Sequence, residues 1–164
     1  MKGFFFFCLV ILTLIFPDDV WSGDTTLLFT VKTEVDHVLL KKDLRIGLWK
    51  EGQDGMDPMD TQAMLNGLFD AYFDNQIEKT PPLWWDIRSL RPVQEWNLIV
   101  KAPEGKKVVL EWKQVPFASG MNQASLILID SDTGQETPVD GTGAIEYSST
   151  RSLKKFLIKS VQKF

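Results

Sequence analysis

Three aspartates recur at every third position in Asp54-Gly55-Met56-Asp57-Pro58-Met59-Asp60. Calcium draws oxygen ligands from loops of this kind, so Asp54, Asp57 and Asp60 form a candidate calcium site. The same spacing also describes a turn whose carboxylates accept hydrogen bonds from backbone amides, and both readings stand on the sequence. A second cluster, Asp130-Ser131-Asp132-Thr133-Gly134 with Glu136, opens like an EF-hand loop but lacks its full ligand set, and reads first as a hairpin turn. His37 is the only histidine and sits beside Asp36 between two extended segments. Neither a catalytic triad nor a zinc site is built from one histidine without partners, and there is no Gly-x-Ser-x-Gly elbow. Paired carboxylates can perform acid–base hydrolysis of glycosides. Here the aspartates are scattered over loop-like stretches and no pair stands out. The expectation is a non-enzymatic protein that acts through surface contacts, with a structural or assembly subunit of an envelope or extracellular complex as an alternative.

Tryptophan supplies the other candidate chemistry. Trp96 and Trp112 alternate with apolar neighbours and are expected to point inward. Trp84 and Trp85 are adjacent, and successive side chains of an extended chain point to opposite faces. One of them therefore looks outward or lies beneath the preceding segment, whose Phe69, Tyr72 and Phe73 are the residues placed to cover it. Trp84, Trp85, Phe69, Tyr72 and Phe73 are thus the candidate binding residues. An outward ring, joined by Trp49, suits a sugar ring or a side chain of a partner protein.

These residues must be held by extended structure, because period-two alternation is the strongest pattern along the chain. Leu27 to Val35 and Val38 to Trp49 read as strands, with Leu44, Ile46 and Leu48 on one face and Arg45 and Trp49 on the other. Glu95 to Val100 and Val108 to Trp112, separated by Pro103-Glu104-Gly105, read as a hairpin. Ala124 to Ile129 should pair with a short return strand over Gln135 to Val139. Lys155 to Val161 is strand-like, its lysines suiting a solvent face or a sheet edge. The expected fold is all-β: an antiparallel β-sandwich of about seven strands. One long irregular insertion, at about 52–82, interrupts the pattern. Within it, Thr61 to Asn75 suggests a turn or two of amphipathic helix through Met64, Leu65, Leu68, Phe69, Tyr72 and Phe73.

The N-terminus carries an apolar run, Phe4 to Phe16, behind Lys2, and Val20-Trp21-Ser22 offers a cleavage site before Gly23. Residues 1–22 therefore read as a signal peptide, with an uncleaved anchor as the alternative, and 23–164 as one domain. Cys8, the only cysteine, falls inside that run, so no disulfide is expected afterwards. No later apolar stretch is long enough to span a bilayer. With 18 basic and 22 acidic side chains and a net charge of −4, the composition argues against a nucleic-acid partner. The location expected is secreted, periplasmic or cell-surface, with a protein or glycan partner outside the cytoplasm.

Several short motifs occur in order: Ile46-Gly47, the Gln53 to Asp60 segment, Pro81-Pro82, Asp86-Ile87-Arg88, Trp96 to Val100, Val109 to Trp112 and Leu128-Ile129-Asp130. Together they resemble an immunoglobulin-like β-sandwich module of secreted bacterial proteins, found near dockerin or secretion-sorting segments, from about Leu39 onward. The resemblance implies an accessory or surface module without a transferable activity. It also implies a structural purpose for the aspartate segment and for Asp86-Ile87-Arg88, with Arg88 pairing with a loop carboxylate. The chain departs from that pattern in the residues inserted from Ala63 to Asn75.

Overall fold

The computed structural model describes residues 25–49, 51–65, 67–77, 79–116 and 125–161. The proposed signal peptide and Cys8 lie outside the described residues. Within them the chain is all-β. It opens with the hairpin that alternation predicts: β1 (Thr25–Val35) pairs antiparallel with β2 (Val38–Trp49). The two turn residues, Asp36 and His37, have φ of 51° and 66°. Positive φ at both central residues matches the right-handed twist of a two-residue hairpin. Leu27, Phe29 and Val31 of β1 and Leu44, Ile46 and Leu48 of β2 enter the core. Arg45 and Trp49 take the opposite face by the same alternation.

β3 (Thr61–Gln62), β4 (Asp70–Asp74), β5 (Leu83–Ser89), β6 (Val93–Lys101), β7 (Lys107–Pro116), β8 (Ser125–Asp130), β9 (Glu136–Pro138), β10 (Thr142–Ser148) and β11 (Leu153–Val161) complete the described strands. They join one sheet in the order β10-β7-β1-β2-β5-β4-β6-β11-β8-β9, with β3 alongside β5. β2 and β5 run parallel, and the other pairs are antiparallel. β10 and β11 are far apart in that order, yet Tyr147 and Phe156 meet edge to face at 5.6 Å between ring centroids. The sheet therefore curls on itself around one core, to which Phe29, Phe73, Trp96, Leu110, Leu128 and Phe156 contribute from six different strands. Trp112 packs flat over its cross-strand neighbour Gly143, where a Cβ would stand 2.4 Å from the ring.

Three expectations are corrected. Glu95–Val100 and Val108–Trp112 are strands with the predicted inward residues, but they do not form a hairpin. β6 lies between β4 and β11, and β7 between β1 and β10. Their connection crosses the curled sheet and is bonded to the β10–β11 crossing: Ala102 N–H donates to Ser152 O and Gly105 N–H to Ser149 O. Because a tight hairpin and a crossover both need a turn at Pro103–Gly105, the sequence does not separate them.

Among the described residues of Thr61 to Asn75 there is no helix. Phe69, Ala71 and Phe73 point inward with period two, and β4 is an interior strand that pairs with β6 and β5. The insertion is therefore part of the sheet and not a cover laid over it. Of the two expectations for the lysines of β11, the solvent face holds and the edge does not: the strand lies between β6 and β8, with Lys155 exposed on its outer side. The described strands number eleven where about seven are expected. The excess is β3, β4, β5 and β10, of which β3 and β4 are too short to leave much periodic signal. The predicted β8–β9 pairing is present.

Candidate functional site

The aspartate segment packs against β5. Asp57 accepts hydrogen bonds from the amides of Gln53 (3.0 Å) and Met59 (2.7 Å), closing its own turn. Asp60 accepts from the amides of Asp57 (3.0 Å) and, across to β5, Ile87 (2.8 Å). Asp54 takes Ser89 Oγ and Gln94 Nε2, each at 2.9 Å, and an ion pair from Arg91 at 2.6 Å. The three carboxylates thus serve separate groups. Among the described residues, no three histidine, cysteine, aspartate or glutamate side chains are gathered so as to hold a metal ion.

Their environments also differ electrically. Partial burial pushes the Asp60 carboxyl up to about 6 against its two amide bonds, with the nearby charges of Asp86 and Asp57 adding to the rise. At Asp54 burial also acts upward. There the hydrogen bonds from Gln94 and Ser89 and the charges of Arg91 and Arg88 prevail and hold the group below its usual range.

The aspartate segment and Asp86-Ile87-Arg88 meet through Asp60 and the Ile87 amide. The partner of Arg88 is different from the one implied. It is Asp86 of the same strand, fully buried, held through Nε at 2.9 Å and Nη2 at 2.8 Å. Arg88 also donates to Glu95 O at 2.6 Å and to Asn75 Oδ1, and lies 5.4 Å from the Trp96 ring centroid. A buried guanidinium with so many acceptors is a structural clamp, with four of its five N–H donors engaged.

The candidate binding residues separate. Phe73 (0% exposed) and Phe69 (5%) lie in the core. Trp84 packs against the core, with Lys42 Nζ 5.3 Å from its ring centroid. Tyr72 lines a different cavity, of about 540 Å³, with Asp70, Lys101 and Leu153. Burial, then the charges of Asp74 and Asp70, raise its hydroxyl above the ordinary range. Of the five, Trp85 alone is exposed, at 40%. The β3–β5 register shifts between Thr61, opposite Trp85, and Gln62, opposite Leu83. This irregularity lets Leu83 enter the core while Trp85 faces away from it.

Trp85 forms one wall of a notch of about 130 Å³ on the outer face, with Arg45, Gly47, Trp49, Met59 and Ile87 around it. The Arg45 guanidinium carbon lies 4.6 Å from the centre of the Trp85 ring, a cation–π contact. The parallel register sets this geometry, pairing Arg45 with Trp85 and Gly47 with Ile87. Gly47 contributes no side chain, so backbone forms the floor. Alternation along β2 places Arg45 and Trp49 on a common face. Their union with Trp85 needs the β2–β5 pairing, which nothing local in the sequence announces. A second cavity, about 260 Å³, lies where the ends of the sheet approach, between Ile145 and Tyr147 of β10 and Leu128 and Thr137 of β8 and β9.

Fold and notch together define an all-β protein with a curled sheet and an aromatic, arginine-flanked recess on its outer surface. No family model matches the chain, and no curated protein or solved structure matches it.

Proposed function

We propose that this protein is a non-enzymatic binding module, acting outside the cytoplasm, whose Trp85 notch receives a side chain of a partner protein. The observation that carries the reading is Trp85 itself: a large ring held open to solvent beside Arg45, over a glycine floor. Aromatic and arginine side chains around a small recess are the groups that concentrate binding energy at protein interfaces. The carboxylates nearest the notch support a non-catalytic role, since Asp54, Asp57, Asp60 and Asp86 are each engaged by amides or guanidinium groups. The N-terminal apolar run supports export. The approach of β10 to β8 and β11 across the curled sheet supports a sandwich as the finer description of the fold, and its immunoglobulin-like form rests on the sequence resemblance alone.

The test is direct binding of partners recovered from an extracellular or envelope fraction, repeated with purified components and with Trp85→Ala. Loss of binding in a Trp85→Ala protein with an unchanged melting curve supports the reading. Partners that bind the variant as well as the parent reject it. The apolar lining favours a protein over a glycan, since Thr26 and Arg45 are the only lining residues whose side chains carry hydrogen-bonding groups apart from the indole N–H groups.

A further inference from the structure

We infer that the partner segment received at the Trp85 notch is extended and acidic, seating an apolar side chain over Gly47 and a carboxylate on Arg45; this rests on the reading of the Trp85 face given above. The register carries the argument. Trp85 on β5 pairs with Arg45 on β2, Arg45 with Leu28 on β1, and Leu28 with Lys113 on β7. These four residues form one row across the outer face. Its two cations stand two strands apart, about 10 Å.

Most other cations on this face already have partners. Lys32 is paired with Glu111 at 2.6 Å and Lys41 with Asp43 at 2.9 Å. These two pairs occupy the nearby carboxylates. Among the described residues, neither Arg45 nor Lys113 has a carboxylate within ion-pair distance. Arg45 Nε is moreover buried without an acceptor. In a chain of net charge −4, two unmatched cations flanking an apolar recess make a local field that favours an anionic ligand.

The spacing sets the ligand's form. An extended peptide rises about 3.3 Å per residue and turns every second side chain to one face, so carboxylates two or four residues apart, about 7 or 13 Å, bracket the separation of Arg45 and Lys113. The notch itself offers Ile87, Met59 and backbone at Gly47, contacts suited to an aliphatic or aromatic side chain. A polyuronate would also satisfy the cations, but its ring hydroxyls would meet this apolar lining.

The test is a selection from a random displayed peptide library on the purified protein, with Trp85→Ala, Arg45→Gln and Arg45→Lys as counter-targets whose melting curves match the parent. Sodium polygalacturonate serves as a parallel probe, followed by tryptophan fluorescence. The expected result is Trp85-dependent peptides rich in aspartate and glutamate around an apolar residue. Their affinity should fall roughly tenfold with Arg45→Gln, fall less with Arg45→Lys, and weaken as salt rises. Trp85-dependent peptides that lack acidic residues, or that ignore Arg45→Gln, overturn the acidic inference while leaving the Trp85 reading standing. Arg45-dependent quenching by polygalacturonate, with no peptide selected, overturns the peptide and assigns the face to an acidic glycan. Silence from both probes rejects the inference and the reading beneath it.

Discussion

Arg88 grips Asp86, two residues earlier on the same strand, through two hydrogen bonds of 2.9 and 2.8 Å, and the carboxylate is wholly removed from solvent. Same-face neighbours on a strand seldom have room to form a bidentate pair inside a core. Here the arginine is held in place by Glu95 O and Asn75 Oδ1, so β5 is tied to β6 and to the end of β4.

Breaking this pair from one side should be costly, because a buried charge is left behind. Arg88→Met is expected to lower stability by about 3–5 kcal/mol, and Asp86→Leu/Arg88→Met together by less than Arg88→Met alone. Urea unfolding of the parent, both single variants and the double variant gives the coupling. Additive losses would mean that Asp86 is not held by Arg88.

Gly52 predicts a second sensitive point. A Cβ there would stand 2.7 Å from both the carbonyl carbon and oxygen of Arg88. These are backbone atoms of a sheet strand and cannot swing aside. Gly52 N–H also donates to Trp49 O at 3.0 Å, bringing the chain off β2 and over β5. Gly52→Ala should therefore cost about 1–3 kcal/mol and shift the loop. Because Met59 of that loop lines the notch, Trp85 fluorescence should change as well. An unaltered melting temperature would show that the loop does not pack this closely.

Much of this architecture was legible from alternation alone. Leu44, Ile46 and Leu48 inward with Arg45 and Trp49 outward, and Trp96, Leu98 and Val100 inward, follow from side chains that are large and strictly alternate. Thr61 to Asn75 misleads because Met64, Leu65, Leu68, Phe69, Tyr72 and Phe73 mimic a helical face. Ala71, the small middle residue of the true period-two set, adds little apolar signal. The site was half legible. Adjacent tryptophans require one to differ in direction, and Trp85 does. Which residues join it is decided by a parallel pairing between strands separated by more than thirty residues of sequence, and no local pattern encodes such a partner.

The aspartate segment yields a prediction about calcium. Asp57 is committed to the amides of Gln53 and Met59, Asp60 to those of Asp57 and Ile87, and Asp54 to Ser89, Gln94 and Arg91. Recruiting them to one cation would forfeit these bonds and pull the loop from β5. Millimolar calcium is accordingly expected to leave the chelator-treated melting temperature unchanged. A rise that saturates with calcium, and is lost in Asp57→Asn, would assign the loop to metal binding instead.

Asp60 makes stability depend on pH in a direction opposite to most carboxylates. Its folded value, about 6, lies above its ordinary 3.8, so between these values the folded chain binds the proton that the unfolded chain has released. Stability from this group is fully present below about 3.8 and is lost as pH rises through about 6. A shift of this size is worth about 3 kcal/mol without screening. Asp60 is only half-buried, and solvent screening reduces the expected loss to about 1 kcal/mol. Asp43 and Asp54, both held below 3.8, act in the other sense and lose their contribution as pH falls below that range. The window from about 4 to 6 therefore belongs mainly to Asp60. Asp60→Asn removes the titration, whatever it costs by turning an amide N–H towards a backbone donor. The readout is accordingly the difference in slope: unfolding free energy of the parent should decline across the window relative to the variant. Parallel curves for the two proteins would show that Asp60 is ionised throughout, with its hydrogen bonds from Ile87 and Asp57 outweighing burial.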